Sequence, residues 1–116
     1  MRVSFVFLNH DSPVGFSHGV AVLSRELKEA GHDVSLVHVN ERLGLPFDGA
    51  HIARRLKDQR PDVVCLSFGS NHAWAAEQVA RLAQEHLPDV PVVAGAIHAT
   101  LDPEQCLGWR GVDLVG

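Results

Sequence analysis

Three of the chain's eight histidines, His10, His72 and His98, stand in short segments rich in small and hydroxyl-bearing residues, and His18 follows closely on the first. The first segment is Asn9-His10-Asp11-Ser12-Pro13-Val14-Gly15-Phe16, the second Ser67-Phe68-Gly69-Ser70-Asn71-His72, and the third Gly95-Ala96-Ile97-His98-Ala99-Thr100. A neutral imidazole is a common ligand for a transition metal. Gly69, Ser70, Gly95 and Ala96 leave room for the backbone to approach a flat or bulky ligand, while Ser67, Ser70 and Thr100 offer short hydrogen-bonding groups. Plainer accounts exist for the same features: loops gather polar residues, and Gly95-Ala96 serves a tight strand-to-loop turn. His32, His38, His51 and His86 fall within or at the ends of expected helices and strands, where a satisfied or solvated histidine is ordinary.

What positions these segments is an alternation of apolar runs of strand length with stretches of helical period, the pattern of βαβ units around a parallel sheet buried on both faces. The runs predict strands at 3–8, 33–39, 63–67, 92–94 and 112–115, and helices at 17–30, 48–59, 71–85 and, briefly, 103–107. Gly31 suits the left-handed turn that ends a helix, Asp48 is a good N-cap, and Pro61 disfavours helix at Arg60. Asp102-Pro103-Glu104-Gln105 joins a capping carboxylate to a first-turn proline. Inward stripes are Val20, Leu23, Leu27 and Ala30 on the first helix, and Ala75, Val79, Leu82 and Ala83 on the third. The fold expected is α/β: a flavodoxin-like, open, doubly wound parallel sheet of five strands in the order 2-1-3-4-5, one domain over 1–116 that lacks its closing C-terminal helix and belongs to a longer protein. Ligands of such sheets bind beyond the carboxyl ends of the strands at the switch point, here between the first and third strands, where the three segments converge.

With 46% hydrophobic and 21% charged residues in 116, the chain has the profile of a soluble globular domain that needs no disulfide staple. A net charge of −4 argues against a nucleic-acid partner, and Arg54-Arg55-Leu56-Lys57 reads as the solvated face of a helix. The first apolar run is too short for a membrane span or a signal peptide. Cys65 and Cys106 lack metal-site spacing and fit a reduced, cytoplasmic setting. The third strand ends in Ser67 rather than a phosphorylatable aspartate, GxGxxG and GxSxG are absent, and no hydroxyl-rich phosphate loop follows the first strand. The chain alone is therefore not expected to be catalytic.

Three stretches carry a resemblance: Arg60-Pro61-Asp62-Val63-Val64-Cys65-Leu66-Ser67, Val90-Pro91-Val92-Val93-Ala94-Gly95-Ala96-Ile97-His98-Ala99-Thr100, and Gly111-Val112-Asp113-Leu114-Val115-Gly116. The pattern resembles the N-terminal cobalamin-binding domain of B12-dependent radical SAM enzymes, in which Gly-Gly-x-His-Ala-Thr stands where this chain has Gly-Ala-Ile-His-Ala-Thr. Twenty-seven residues lie between Ser67 and Gly95, the spacing such domains keep between their serine and glycine pair. The resemblance implies cobalamin as cofactor, with Ser67 against its nucleotide tail and the glycine loop providing the slot. The implied binding residues are Asn9, His10, Gly15, Phe16, Ser67, Gly69, Ser70, His72, Gly95, Ala96, His98 and Thr100. It further implies a C-terminal radical SAM domain in the same protein, which would carry S-adenosylmethionine and a 4Fe-4S cluster; the CxxxCxxC motif for that cluster is absent from this chain. The chain departs from the family at Ala96, which replaces the second glycine, and in lacking Asp-x-His-x-x-Gly, the motif of the lower cobalt ligand. His10 or His18 is left as the candidate for that position.

Residues 1–34 fit the N-terminal half of a GT-B glycosyltransferase equally well, through Met1-Arg2-Val3-Ser4-Phe5-Val6 and the helix that ends at Ala30-Gly31-His32. A plain flavodoxin-like interaction module, with incidental loop histidines, is the third reading. The Gly-Ala-Ile-His-Ala-Thr loop and its spacing from Ser67 favour the cobalamin domain over both.

Overall fold

A computed structural model describes residues 1–10, 18–44, 47–95 and 111–115. Strands Arg2–Leu8 (β1), Asp33–Val39 (β2), Val63–Ser67 (β3) and Val92–Gly95 (β4) form a parallel sheet in the expected order β2-β1-β3-β4. Among the described residues beyond β4, Leu114–Val115 (β5) pairs in the register Val93↔Leu114 and Ala94↔Val115, shorter than the strand expected at 112–115. Asp113 is drawn instead into the start of β4: its backbone N–H donates to the Val92 carbonyl at 2.9 Å and its carboxylate accepts from the Val92 N–H at 2.8 Å. Asp62 does the same one strand away, donating to the Arg2 carbonyl at 2.7 Å and accepting from the Arg2 N–H at 2.6 Å.

Helices His18–Glu29 (α1), Gly49–Gln59 (α2) and Ala73–His86 (α3) connect the strands, with short 3-10 turns at Glu41–Leu43 and Ser70–His72. The expected helix at 103–107 lies outside the described residues. α1 ends as its sequence indicates. Gly31 takes φ +91°, its N–H donates to Lys28 O, and the His32 N–H reaches back to Leu27 O, each at 3.0 Å, the paired bonds of a Schellman cap. Asp48 caps α2 by accepting from the His51 N–H at 3.2 Å. Arg60 takes a left-handed φ of 50°, and Pro61 follows it.

Strand alternation sends side chains to two unequal faces. On one, Val6, Leu8, Val64, Leu66, Val92 and Ala94 pack with Ile52 and Leu56 of α2 and with Ala75, Ala76, Val79, Ala80 and Ala83 of α3 in a single buried cluster. On the other, the buried cluster consists of Val3, Phe5 and Val20, with Leu27, Val34, Val63 and Cys65 partly covered against it. The α3 stripe is as expected, except that Leu82 is half-buried and Ala76 and Ala80 join it. The α1 stripe needs correction. Val20 is buried and Leu27 half-buried, but Leu23 is 53% exposed and Ala30 lies exposed in the turn beyond the helix. Leu23 lines a cavity between α1 and the sheet.

Candidate functional site

Parallel register lines up two rows of side chains on the α1 face of the sheet. Phe7, Ser67 and Gly95 are neighbours across β1, β3 and β4 at the carboxyl edge, and Phe5, Cys65 and Val93 form the equivalent row one pleat deeper. Gly19, Val20, Leu23 and Leu27 of α1 face both rows across a cavity of about 670 Å³, and Phe68 and Gly69 extend its lining past Ser67. That volume falls within the ~300–1,000 Å³ usual for small-molecule sites. Among the described lining residues, the only side-chain heteroatoms are the Ser67 hydroxyl at the rim and the Cys65 thiol in the floor. Burial pushes the Cys65 thiol up from its ordinary value, so it stays neutral near pH 7. His38, on β2, lies beside the cavity's Phe7 with ring centroids 4.8 Å apart, and burial lowers its pKa.

A second group of expected site residues gathers elsewhere on the same edge. His10 is 3% exposed, its ring stacked on Phe47 at 4.9 Å and packed against His72 at 4.4 Å and Trp74 at 5.5 Å. Phe47 and Trp74 also meet, at 5.2 Å. The His72 Nε2–H donates to the His10 carbonyl at 2.6 Å; only an N–H can serve a carbonyl, which places a proton on Nε2. Asn40, fully buried after β2, donates from Nδ2 to the Asn9 carbonyl at 2.8 Å, while its Oδ1 accepts from the Arg42 N–H at 2.9 Å. The Asn9 N–H donates to Val39 O at 3.0 Å. The chain leaving β1 is thus fastened to the ends of β2 and the start of α3.

The expected site therefore divides. Ser67, Gly69 and Gly95 meet at the cavity, whereas His10 and His72 belong to the aromatic cluster and Asn9 is bonded to Asn40 and Val39, and neither His10 nor His72 lines the cavity. Ser70 opens the 3-10 turn between them, and His18 is the first residue of α1. Gly15, Phe16, Ala96, His98 and Thr100 lie outside the described residues. Asn40, Phe47, Trp74 and the floor role of Cys65 were not anticipated; a polar residue directly after a buried strand was the one available sign, and it pointed to Asn40. No group of three or more His, Cys, Asp or Glu among the described residues is placed to hold a metal ion.

An open parallel sheet with an apolar cavity at the switch-point edge defines a domain built to hold a ligand. Its kind is settled by similarity: the chain belongs to the B12 binding domain family, which matches residues 9–116. Cobalamin is accordingly its cofactor. The chain is also similar to an anaerobic magnesium-protoporphyrin IX monomethyl ester cyclase from Cereibacter sphaeroides, 29% identical over 113 residues, covering 92% of this chain and 18% of that protein. The chain thus spans about a fifth of this relative's length. Neither the glycosyltransferase nor the interaction-module reading is favoured by these matches. No described helix is long and apolar enough to cross a membrane.

Proposed function

We propose that this domain holds cobalamin at the carboxyl edge of its sheet, with the nucleotide tail in the cavity under α1, and presents it to a radical SAM domain elsewhere in the same protein for methyl transfer or cyclisation. The observation that carries the proposal is the cavity itself: an apolar slot of about 670 Å³ whose rim is the register pair Ser67 and Gly95. A buried aromatic base suits the floor of Phe5, Cys65 and Val93. Ser67 offers its hydroxyl to the polar part of the tail, and Gly95 leaves the slot open beside it. Gly15, Phe16, Ala96, His98 and Thr100 complete the site in this reading, with Gly69 and Ser70 shaping the loop after β3. His10, His72 and Asn9 act by fixing the loop after β1.

Bound cobalamin supplies an organometallic cobalt centre able to carry a methyl group or assist radical chemistry. The chain's own residues bind it, orient it and exclude water from its tail. S-adenosylmethionine and an iron-sulfur cluster belong to the other domain. The net charge of −4 suits a protein with no nucleic-acid partner, and we place it in the cytoplasm.

A visible-absorbance titration with hydroxocobalamin and methylcobalamin, followed by gel filtration, tests this. Saturable binding with a base-off spectrum is expected, with colour retained by the protein. Ser67→Trp or Gly95→Trp should weaken it by at least ~10-fold, about the effect of losing 1.4 kcal/mol. Absence of retained colour, or full affinity in both variants, would remove the cavity from the site.

A further inference from the structure

The composition of the cavity floor bears on which cobamides the domain accepts. Cobamides share the corrin and differ in the base that ends the nucleotide tail, which is a benzimidazole in cobalamin and a purine or a phenol in others. We propose that the cavity selects against purine bases, admitting cobalamin and phenolic cobamides in preference to the adenine cobamide; this rests on the tail lying in the cavity, as proposed above.

The argument comes from what the lining provides. Phe5 and Val93 flank Cys65 in the deep row, and Val20 and Leu27 of α1 face that row. A dimethylbenzimidazole meets these walls with ring carbons, methyl groups and a single free ring nitrogen. Adenine would meet them with an exocyclic amine and ring nitrogens, all hydrated in water. Inside, a neutral thiol is a weak donor and weaker acceptor, and the Ser67 hydroxyl sits one pleat above, at the rim. Among the described lining side chains the amine meets no carboxylate or amide, so none of these side chains replaces the hydration it gives up. The walls attract both bases similarly through contact, so selectivity arises from the unmet polar edge. Cys65 is the position that sets it, being the heteroatom at the centre of the floor.

Three ligands settle the matter when titrated into the full 116-residue chain: cobalamin, the adenine cobamide, and cobinamide, which has no lower base. Cobalamin is expected to bind at least ~10-fold more tightly than the adenine cobamide, with Cys65→Ser narrowing that ratio at least threefold by adding a better hydrogen-bonding group in place of the thiol. If cobalamin and the adenine cobamide bind equally, and both more tightly than cobinamide, the selectivity is overturned while the tail stays in the cavity. If cobinamide matches cobalamin, or none of the three binds, the placement of the tail falls and the selectivity with it. The ratio is read on the unsubstituted chain, so a misfolded variant cannot decide the result.

Discussion

Cys65 shows how a residue's place can be legible and its role hidden. Its position inside a short apolar run marks it as part of a strand, and it lies in β3 as expected. That it lies in the floor of a cavity depends on register with Phe5 and Val93, which no local pattern states. Ser67 and Gly95 were legible because their separation along the chain could be matched to a family, and the sheet makes them neighbours. His10, expected as a ligand from its loop position, has its ring packed against Phe47, His72 and Trp74, contacts that only the tertiary fold creates. The cavity position of Cys65 has a chemical consequence. Burial raises its pKa, so the thiolate fraction at neutral pH is small, and the thiolate is the species that reacts. In a Cys106→Ser background, alkylation of Cys65 by iodoacetamide should be slower than in the unfolded chain. Its rate should keep climbing past pH 9.0, the ordinary value from which the thiol is displaced. Saturating cobalamin should slow it further. A rate indifferent to cobalamin would detach Cys65 from the bound tail.

Among the elements, two aspartates in the stretches that carry the family resemblance do structural work at the amino edge of the sheet, opposite Ser67 and Gly95. Asp62 and Asp113 each exchange two hydrogen bonds with the first residue of a neighbouring strand, Asp62 tying the start of β3 to β1 and Asp113 tying the start of β5 to β4. Two glycines separate what sequence shows from what it hides. Gly31 was readable as a helix end, and a Cβ there would meet no atom within 4 Å. Gly111, at φ +97°, was not, because its constraint comes from α3: a Cβ would run into the Ala80 carbonyl oxygen. Gly31→Ala should cost only the strain of a positive φ, about 1 kcal/mol. Gly111→Ala adds a collision with helix backbone, which cannot swing aside as a flexible side chain can, and should cost about 3 kcal/mol. Urea midpoints of the two variants check the order; equal losses would mean that the segment before β5 does not press on α3. Strands and helix ends were legible because Gly, Pro and capping residues act locally. The length of β5 was not, because Asp113 is committed to β4.

In the molecule as a whole, the two sides of the sheet are unequal. Toward α2 and α3 the core is continuous, and Gly49 sits close enough to α3 that a Cβ would lie 3.1 Å from Leu82 Cδ1. Toward α1 the buried cluster is small and a cavity of about 670 Å³ separates helix from sheet. The layers and strand order follow from alternation and connection rules, so they could be read in advance. Whether a helix stripe rests on side chains or on space could not, because Leu23 obeys the same period in either case. The asymmetry predicts where the free energy of binding appears. A ligand that binds only the folded state at ~100 times its Kd adds about 2.7 kcal/mol, which for a chain of this size raises the Tm by roughly 10 °C. If the tail fills the space under α1, the added protection against hydrogen exchange should concentrate in α1 and in the carboxyl ends of β3 and β4. α2 and α3, already packed on a full core, should gain only what global stabilisation confers. A cobalamin-dependent rise in Tm without preferential protection of α1 would place the cofactor on the sheet edge but outside the cavity. Protection confined to α1 and the strand ends would instead identify the thin side of the core as the part of the fold left for the cofactor to complete.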